Sequence, residues 1–122
     1  IAIHLRDETA NIGDLIADLT SQAFLSAISR VELESGVAAI AELSSLRRAK
    51  LDVLLAELDV IEFTDEMAEA YGKIVIQSGY SRRKIIDRMI AATALVADLT
   101  LITANGDDFA EIDGLKLEIW NP

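Results

Sequence analysis

Residues 84–109, KIIDRMIAATALVADLTLITANGDDF, constrain this chain most. Ile86, Met89, Ile90 and Thr93 repeat at helical spacing, and Ala91, Ala92, Ala94 and Ala97 let such a helix lie close to its neighbours. The helix passes through Asp98 into a short apolar strand over 99–103, then into the loop Asn105-Gly106-Asp107-Asp108. In an open α/β sheet, ligands bind outside the carboxyl ends of the strands. A helix-then-strand unit brings Asp87, in the first helical turn, and the loop carboxylates to that one edge.

The rest of the chain reads as further α/β units. The opening residues Ile1, Ile3 and Leu5, followed by charge, read as the start of an apolar helix. His4 then reads as a surface or packed helix residue rather than a ligand. A second short helix is expected over 14–19, after the Asn11-Ile12-Gly13 turn. Residues 23–29 read as a buried strand and 30–41 as a helix. Glu34 can pair there with Arg30 at i,i+4. Glu32 shares its helix face with the small residues Ser35, Gly36 and Ala39, so it can point into a crevice or stand as a solvated helix Glu. Ser44 or Ser45 can cap the next helix, whose stripe is Leu51, Leu54, Leu55 and Leu58. Its Arg47, Arg48 and Lys50 read as a solvated face. Val60, Ile61 and Phe63 form a strand, and Thr64 caps a helix with Asp65 and Glu66 in its first turn. Met67, Ala70, Tyr71 and Ile74 are that helix's buried stripe, and Gly79 ends it. Residues 110–114 read as a turn or a 3₁₀ piece and 115–120 as a last strand. The order predicts α/β architecture with a mostly parallel sheet.

Length allows one domain over 1–122. At 52% hydrophobic residues the chain is globular, yet no apolar run approaches the roughly 18 residues of a membrane span. There is no cysteine, hence no disulfide framework, thiolate metal site or cysteine nucleophile, which fits a reducing compartment such as the cytoplasm. The net charge of −10 argues against non-specific nucleic-acid binding. One basic cluster stands out: Arg82, Arg83, Lys84 and Arg88 are four of the eleven basic residues and flank Asp87. They read either as a solvated run or as a patch that positions phosphates. Glu32, Asp87 and Asp108, with Asn105, are oxygen donors on separate elements. Hard cations such as Mg²⁺ and Mn²⁺ take such donors and can activate water, so no protein nucleophile is needed. The chain has 21 acids, so the contexts of these few carry the specificity.

Those contexts resemble a known family. Glu32-Leu33-x-x-Gly36, Asp87-x-x-Ile90-Ala91-Ala92-Thr93-Ala94 and Thr103-x-Asn105-x-x-Asp108-Phe109 look like the acidic motifs of PIN domains, in order and spacing. Asp65 to Gly72 (DEMAEAYG) and the closing Gly114-Leu115 to Trp120 look like VapC-type toxin ribonucleases within it. The resemblance implies a three-layer fold with a mostly parallel central sheet flanked by helices. It implies carboxylates Glu32, Asp87 and Asp108 that bind Mg²⁺ or Mn²⁺, with Asn105 as a further ligand, and that cleave RNA. It also implies a homodimer held inactive by a VapB-type antitoxin. In that setting Arg82, Arg83 and Arg88 are expected to bind RNA. One departure stands against it. The family begins with a central strand ending in Asp-Thr-Ser or Asp-Thr-Asn, whereas Ile1 falls where the following helix begins. That strand, with its Asp, is therefore expected upstream of residue 1. Asn105 also stands where many relatives have Asp.

Two other classes compete with this reading. An acidic α/β domain can be a receiver-like phosphoacceptor module, with Asp65 just after a strand. It can also be a non-catalytic PIN-like interaction module. The receiver reading needs a lysine at the end of a late strand, and Lys116 stands near the start of the last one.

Overall fold

Five short strands form one parallel sheet whose order reverses at its centre. A computed structural model describes residues 22–120 together with the backbone of Ala2–His4. The strands are β1 (Ala2–His4), β2 (Phe24–Ser26), β3 (Asp59–Ile61), β4 (Leu101–Thr103) and β5 (Leu117–Ile119), in the order β3-β2-β1-β4-β5. The helices are α1 (Ala27–Ala39), α2 (Ser44–Glu57), α3 (Asp65–Ser78) and α4 (Ile85–Ala97). Every strand pair is parallel, as the sequence predicts.

Adjacent residues of β4 show how the two faces are made. Ile102 joins Leu25, Leu33, Val37, Leu51, Leu54 and Leu58, the cluster under α1 and α2. Leu101 points the other way, into Ile74, Ile90, Ala91, Ala92, Ala94, Phe109 and Ile112, under α3 and α4. Register keeps the faces consistent, because Ile102 and Leu25 both pair with Ile3 of β1. The result is three layers, helices on both faces of a parallel sheet.

Local chemistry sets the element ends and moves several of them. The strand expected over 23–29 stops at Ser26, whose hydroxyl accepts the Ser29 amide at 2.9 Å and caps α1, so helix replaces strand from Ala27 onward. Ser44 and Ser45 do not cap α2. A 3₁₀ turn over Ala41–Leu43 enters it, and Leu43 at the cap position makes no side-chain bond. Thr64 does cap α3, accepting the Met67 amide at 3.3 Å. Asp98 ends α4 in the left-handed conformation at φ 54° and donates its amide to the Ala94 and Leu95 carbonyls. Within α4 the small residues share the buried face with Ile90, which is 1% exposed. Ala91, Ala92 and Ala94 are at most 1% exposed, while Ile86 is 37% exposed. Close approach of the backbone at these alanines, with Ile90 packed beside them, seats this helix.

The chain start differs most from expectation. Ala2–His4 is a strand, not a helix, and it fills the central place between β2 and β4 that a strand upstream of Ile1 was expected to supply. The alternation Ile1, Ile3, Leu5 has period two, which suits a strand better than a helix. The expected 11–13 turn and 14–19 helix lie outside the described residues. Among the described residues, no helix is long and apolar enough to cross a membrane.

Two glycines should respond in opposite ways to alanine. Gly79 sits at φ 83°, ψ 153°, a region that L side chains rarely adopt, although nothing lies within 4 Å of a Cβ there. Gly72 is mid-helix in α3 with equally open space. Gly72→Ala is expected to raise stability by about 0.5–1 kcal/mol and Gly79→Ala to lower it by about 1–3 kcal/mol. Denaturant midpoints of the two variants check both signs.

Candidate functional site

The reversal of strand order puts a crevice at the carboxyl ends of β1 and β4. Beside it, β2 ends at Ser26 and β4 at Thr103, each 1% exposed. The Thr103 hydroxyl accepts the Asn105 amide at 3.0 Å and turns the chain into the 3₁₀ segment Gly106–Asp108. The Ser26 and Ser29 hydroxyls lie 3.3 Å apart. Helix α4 runs back along the sheet into β4, so its first turn, with Asp87, returns to this carboxyl edge. Of six buried polar side chains among the described residues, Ser26, Ser29, Asp87 and Thr103 gather here. Burying polar groups costs free energy unless they are satisfied, so their concentration at one edge marks it out from the apolar sheet faces.

Each predicted site residue can now be placed. Asp87 is 4% exposed in the first turn of α4, where the helix dipole favours a carboxylate. Glu32 is half-buried one and a half turns into α1, which packs against α4. Asn105 and Asp108 are half-buried, Asp107 is exposed, and all three line a pocket of about 450 Å³ with Ala104, Gly106 and Ile119. A Cβ on Gly106 would overlap the Ile119 side chain, so glycine lets the acidic turn close onto the end of β5. Neither Glu32 nor Asp87 lines this pocket.

The donors are all oxygens, the set a hard divalent cation takes, and on that chemistry they fit one. Among the described residues, however, no three or more His, Cys, Asp or Glu side chains form a group that could hold a metal ion. The fold brings Glu32, Asp87, Asn105 and Asp108 to one edge without closing them into a cage. Residues 5–21 lie outside the described ones.

The basic run divides. Arg82 and Arg83 are exposed on a 3₁₀ turn ahead of α4. Arg88 is not part of a phosphate-facing patch. It is 3% exposed, donates to the Gly79 carbonyl at 2.6 Å and stands 3.6 Å from Glu111. Its position on the inward face of α4 makes it an internal tie. Arg47 and Arg48, expected to be solvated, reach α1 instead, at the Gly36 carbonyl (2.8 Å) and Glu34 (2.5 Å). Glu34 also pairs with Arg30 at 3.4 Å, as its spacing predicts.

The receiver-like alternative loses its support. Flavodoxin-like receivers have strand order 2-1-3-4-5, and this sheet is 3-2-1-4-5. Lys116 sits before β5, at the amino edge, where it pairs with Asp98 at 2.9 Å. Sequence reasoning missed Ser26, Ser29 and the Arg88–Glu111 contact. Ser26 was a signal, since serine is a favoured residue at the start of a helix; the arginine gave none.

Comparisons with known proteins agree with this geometry. The model of the PIN domain family matches residues 1–115. The curated Ribonuclease VapC2 of Rickettsia felis is 30% identical over 101 residues, covering 80% of this chain and 73% of that protein. The crystal structure of VapBC2 from Rickettsia felis, bound to a DNA fragment from its promoter, superposes with a TM-score of 0.74 at 28% identity, over 91% of this chain and 83% of that one. DNA-bound VapBC from Salmonella typhimurium has the same fold, with a TM-score of 0.80 at 21% identity over 98% of both chains.

Near the acidic edge, Glu111 accepts from Lys84 Nζ at 2.6 Å. That hydrogen bond, aided by the Lys84 and Arg88 charges and opposed by desolvation, holds its carboxyl below the usual 4.5. A depressed folded value stabilises the fold above the unfolded pKa, and that contribution is lost as pH falls through the folded one. Carboxyl NMR titration should therefore find Glu111 below 4.5, and Lys84→Met should raise it.

Proposed function

This chain belongs to the PIN-domain family, and on that premise we propose that it is a VapC-type ribonuclease that hydrolyses RNA phosphodiester bonds with Mg²⁺ or Mn²⁺. The observation that carries the proposal is Asp87, a carboxylate 4% exposed at a helix start on the carboxyl edge of a switch-point sheet. Glu32, Asp87 and Asp108 would hold the ion, with the Asn105 amide oxygen as a further donor. A hard divalent cation supplies electrophilic stabilisation of phosphoryl charge and a nucleophilic water at neutral pH. The chain's own residues do the rest. Asp87 is presented by the first turn of α4, where the helix dipole favours a carboxylate. The capped ends of β2 and β4 fix where Glu32 and the Asn105–Asp108 turn begin. Exposed Arg82 and Arg83 take substrate phosphates, the local counterweight that a chain of net charge −10 needs.

The partner reading has its own support. Val31, Ile40, Leu43, Leu46 and Val53 leave apolar side chains in water on α1, α2 and the turn between them. Scattered apolar residues are ordinary, but a cluster on one helical pair suits a protein partner. The two solved relatives above are VapBC assemblies bound to DNA, and we propose a VapB-type antitoxin and a second copy of this chain as partners here, in the cytoplasm. A protein that bound such an antitoxin yet cleaved no RNA with either ion would instead be a non-catalytic member of the family.

Cleavage of total RNA should require Mg²⁺ or Mn²⁺ and stop with EDTA; cleavage that EDTA leaves untouched contradicts the metal mechanism. Glu32→Gln or Asp87→Asn should lower the rate by more than about 100-fold with an unchanged circular dichroism spectrum, because loss of a mere supporting residue already costs about 10–100-fold. Near-normal cleavage by Glu32→Gln would make Glu32 a surface residue.

Arg82 and Arg83 give a separate expectation. Neutralising both to Gln should weaken RNA binding and shrink the slope of log K against log salt by about 1.4, or about 0.7 per lost contact on a single strand. An unchanged slope assigns both arginines to another surface.

A further inference from the structure

Arg88 lies beside Asp87 in sequence, yet its guanidinium points away from solvent and bridges two separate segments. One nitrogen donates to the Gly79 carbonyl at 2.6 Å, and another stands 3.6 Å from Glu111. Glu111 also takes Lys84 Nζ at 2.6 Å. The end of α3, the turn before α4, the first turn of α4 and the turn after β4 are thus tied at one point. The φ of 83° at Gly79 is what aims that carbonyl.

The tie lies between the two halves of the acidic edge. Asp87 precedes Arg88 by one residue, and Asp108 precedes Glu111 by three. The stretch between Asp108 and Glu111 is stiff. The Phe109 amide bonds the Gly106 carbonyl at 3.0 Å, and the Ile112 amide bonds the Phe109 carbonyl at 3.2 Å. Phe109 and Ile112 are buried at 1% and 8% exposure, so the segment is pinned on its apolar side as well. A shift of Glu111 is therefore carried back to Asp108. Alone, an ion pair with one partner 43% exposed contributes little to stability. A buried arginine shared between a carbonyl and a carboxylate fixes geometry in a way a lysine cannot, because its planar fork serves both acceptors at once.

From this geometry we infer that Arg88 and Glu111 are positioning residues, a clamp that sets Asp108 relative to Asp87 for a divalent cation. The inference rests on the metal reading above, and it replaces the RNA-contacting role expected for Arg88 from sequence. The clamp touches neither substrate nor ion. Its effect is to hold the α4 start and the post-β4 turn at one spacing.

The test uses the full chain and Mn²⁺ alone as probe, followed by electron paramagnetic resonance without RNA. Glu111→Gln is the main variant, since its site is partly exposed and the fold should survive; Arg88→Met is the second. Both should raise the Mn²⁺ dissociation constant about tenfold or more. Both should speed amide exchange over residues 105–111. RNA cleavage by Glu111→Gln should fall in kcat with KM unchanged, because Arg82 and Arg83 are untouched. Glu69→Gln, which breaks the exposed Lys73–Glu69 pair on α3, should change none of these. Wild-type Mn²⁺ affinity and wild-type exchange over 105–111 in Glu111→Gln would overturn the clamp. If the wild-type chain binds no Mn²⁺, the metal reading fails instead, and amide exchange alone decides whether the clamp holds the two segments.

Discussion

The close seating of α4 on the sheet is the constraint on which the rest of this structure depends. Ala91, Ala92 and Ala94 bring the helix backbone down among Leu101, Ile74 and Phe109, leaving these alanines almost wholly buried. Interiors are packed to crystal-like density, so a helix held by alanines has little freedom to slide. Its two ends inherit that rigidity. At one end Asp98 turns the chain into β4; at the other Asp87 is fixed at the carboxyl edge. A bulkier residue at Ala91 or Ala92 would lift the helix and move both ends together, at a cost of about 1–3 kcal/mol for overpacking.

Parallel strands of only three residues each make the edge sensitive to what lies just beyond them. Few ladder bonds define each strand, so caps and turns fix where it stops. Ser26 and Thr103 do this with side-chain oxygens that accept a backbone amide three and two residues on. The Ser26 bond is buried, where its loss leaves a donor unsatisfied at a cost of about 1–3 kcal/mol, and the Thr103 bond is partly buried. The acids therefore stand on segments whose starting points are set by hydroxyls rather than by long strands. The same edge carries the arginine tie, so polar chemistry there serves position before it serves any ligand.

Much of this was legible in the sequence, and the failures have physical reasons. The α/β class, the parallel sheet, the Thr64 cap, the Arg30–Glu34 pair and the placement of Asp87 in a first helical turn follow from spacing and composition. Element ends were less legible, because Ser26 can be read as a strand residue until its hydroxyl is seen to cap a helix. The opening was misread as a helix since three apolar residues in alternation give too short a pattern against the charge that follows. Arg88 misled for another reason. Sequence records that a residue is basic, but not whether its helix face is turned inward. The motif around Asp87 singles out particular acids, whereas the Arg88–Glu111 contact joins segments far apart in sequence, which no local pattern encodes.

The central claim is that the carboxyl edge around the strand reversal is a divalent-cation site built from Glu32, Asp87, Asn105 and Asp108. Anomalous diffraction from a crystal soaked in Mn²⁺ tests it most directly. The account predicts one or two anomalous peaks at that edge, at coordination distance from the Asp87 and Asp108 carboxylates. Peaks only elsewhere on this acidic surface, or none at millimolar Mn²⁺, would contradict it.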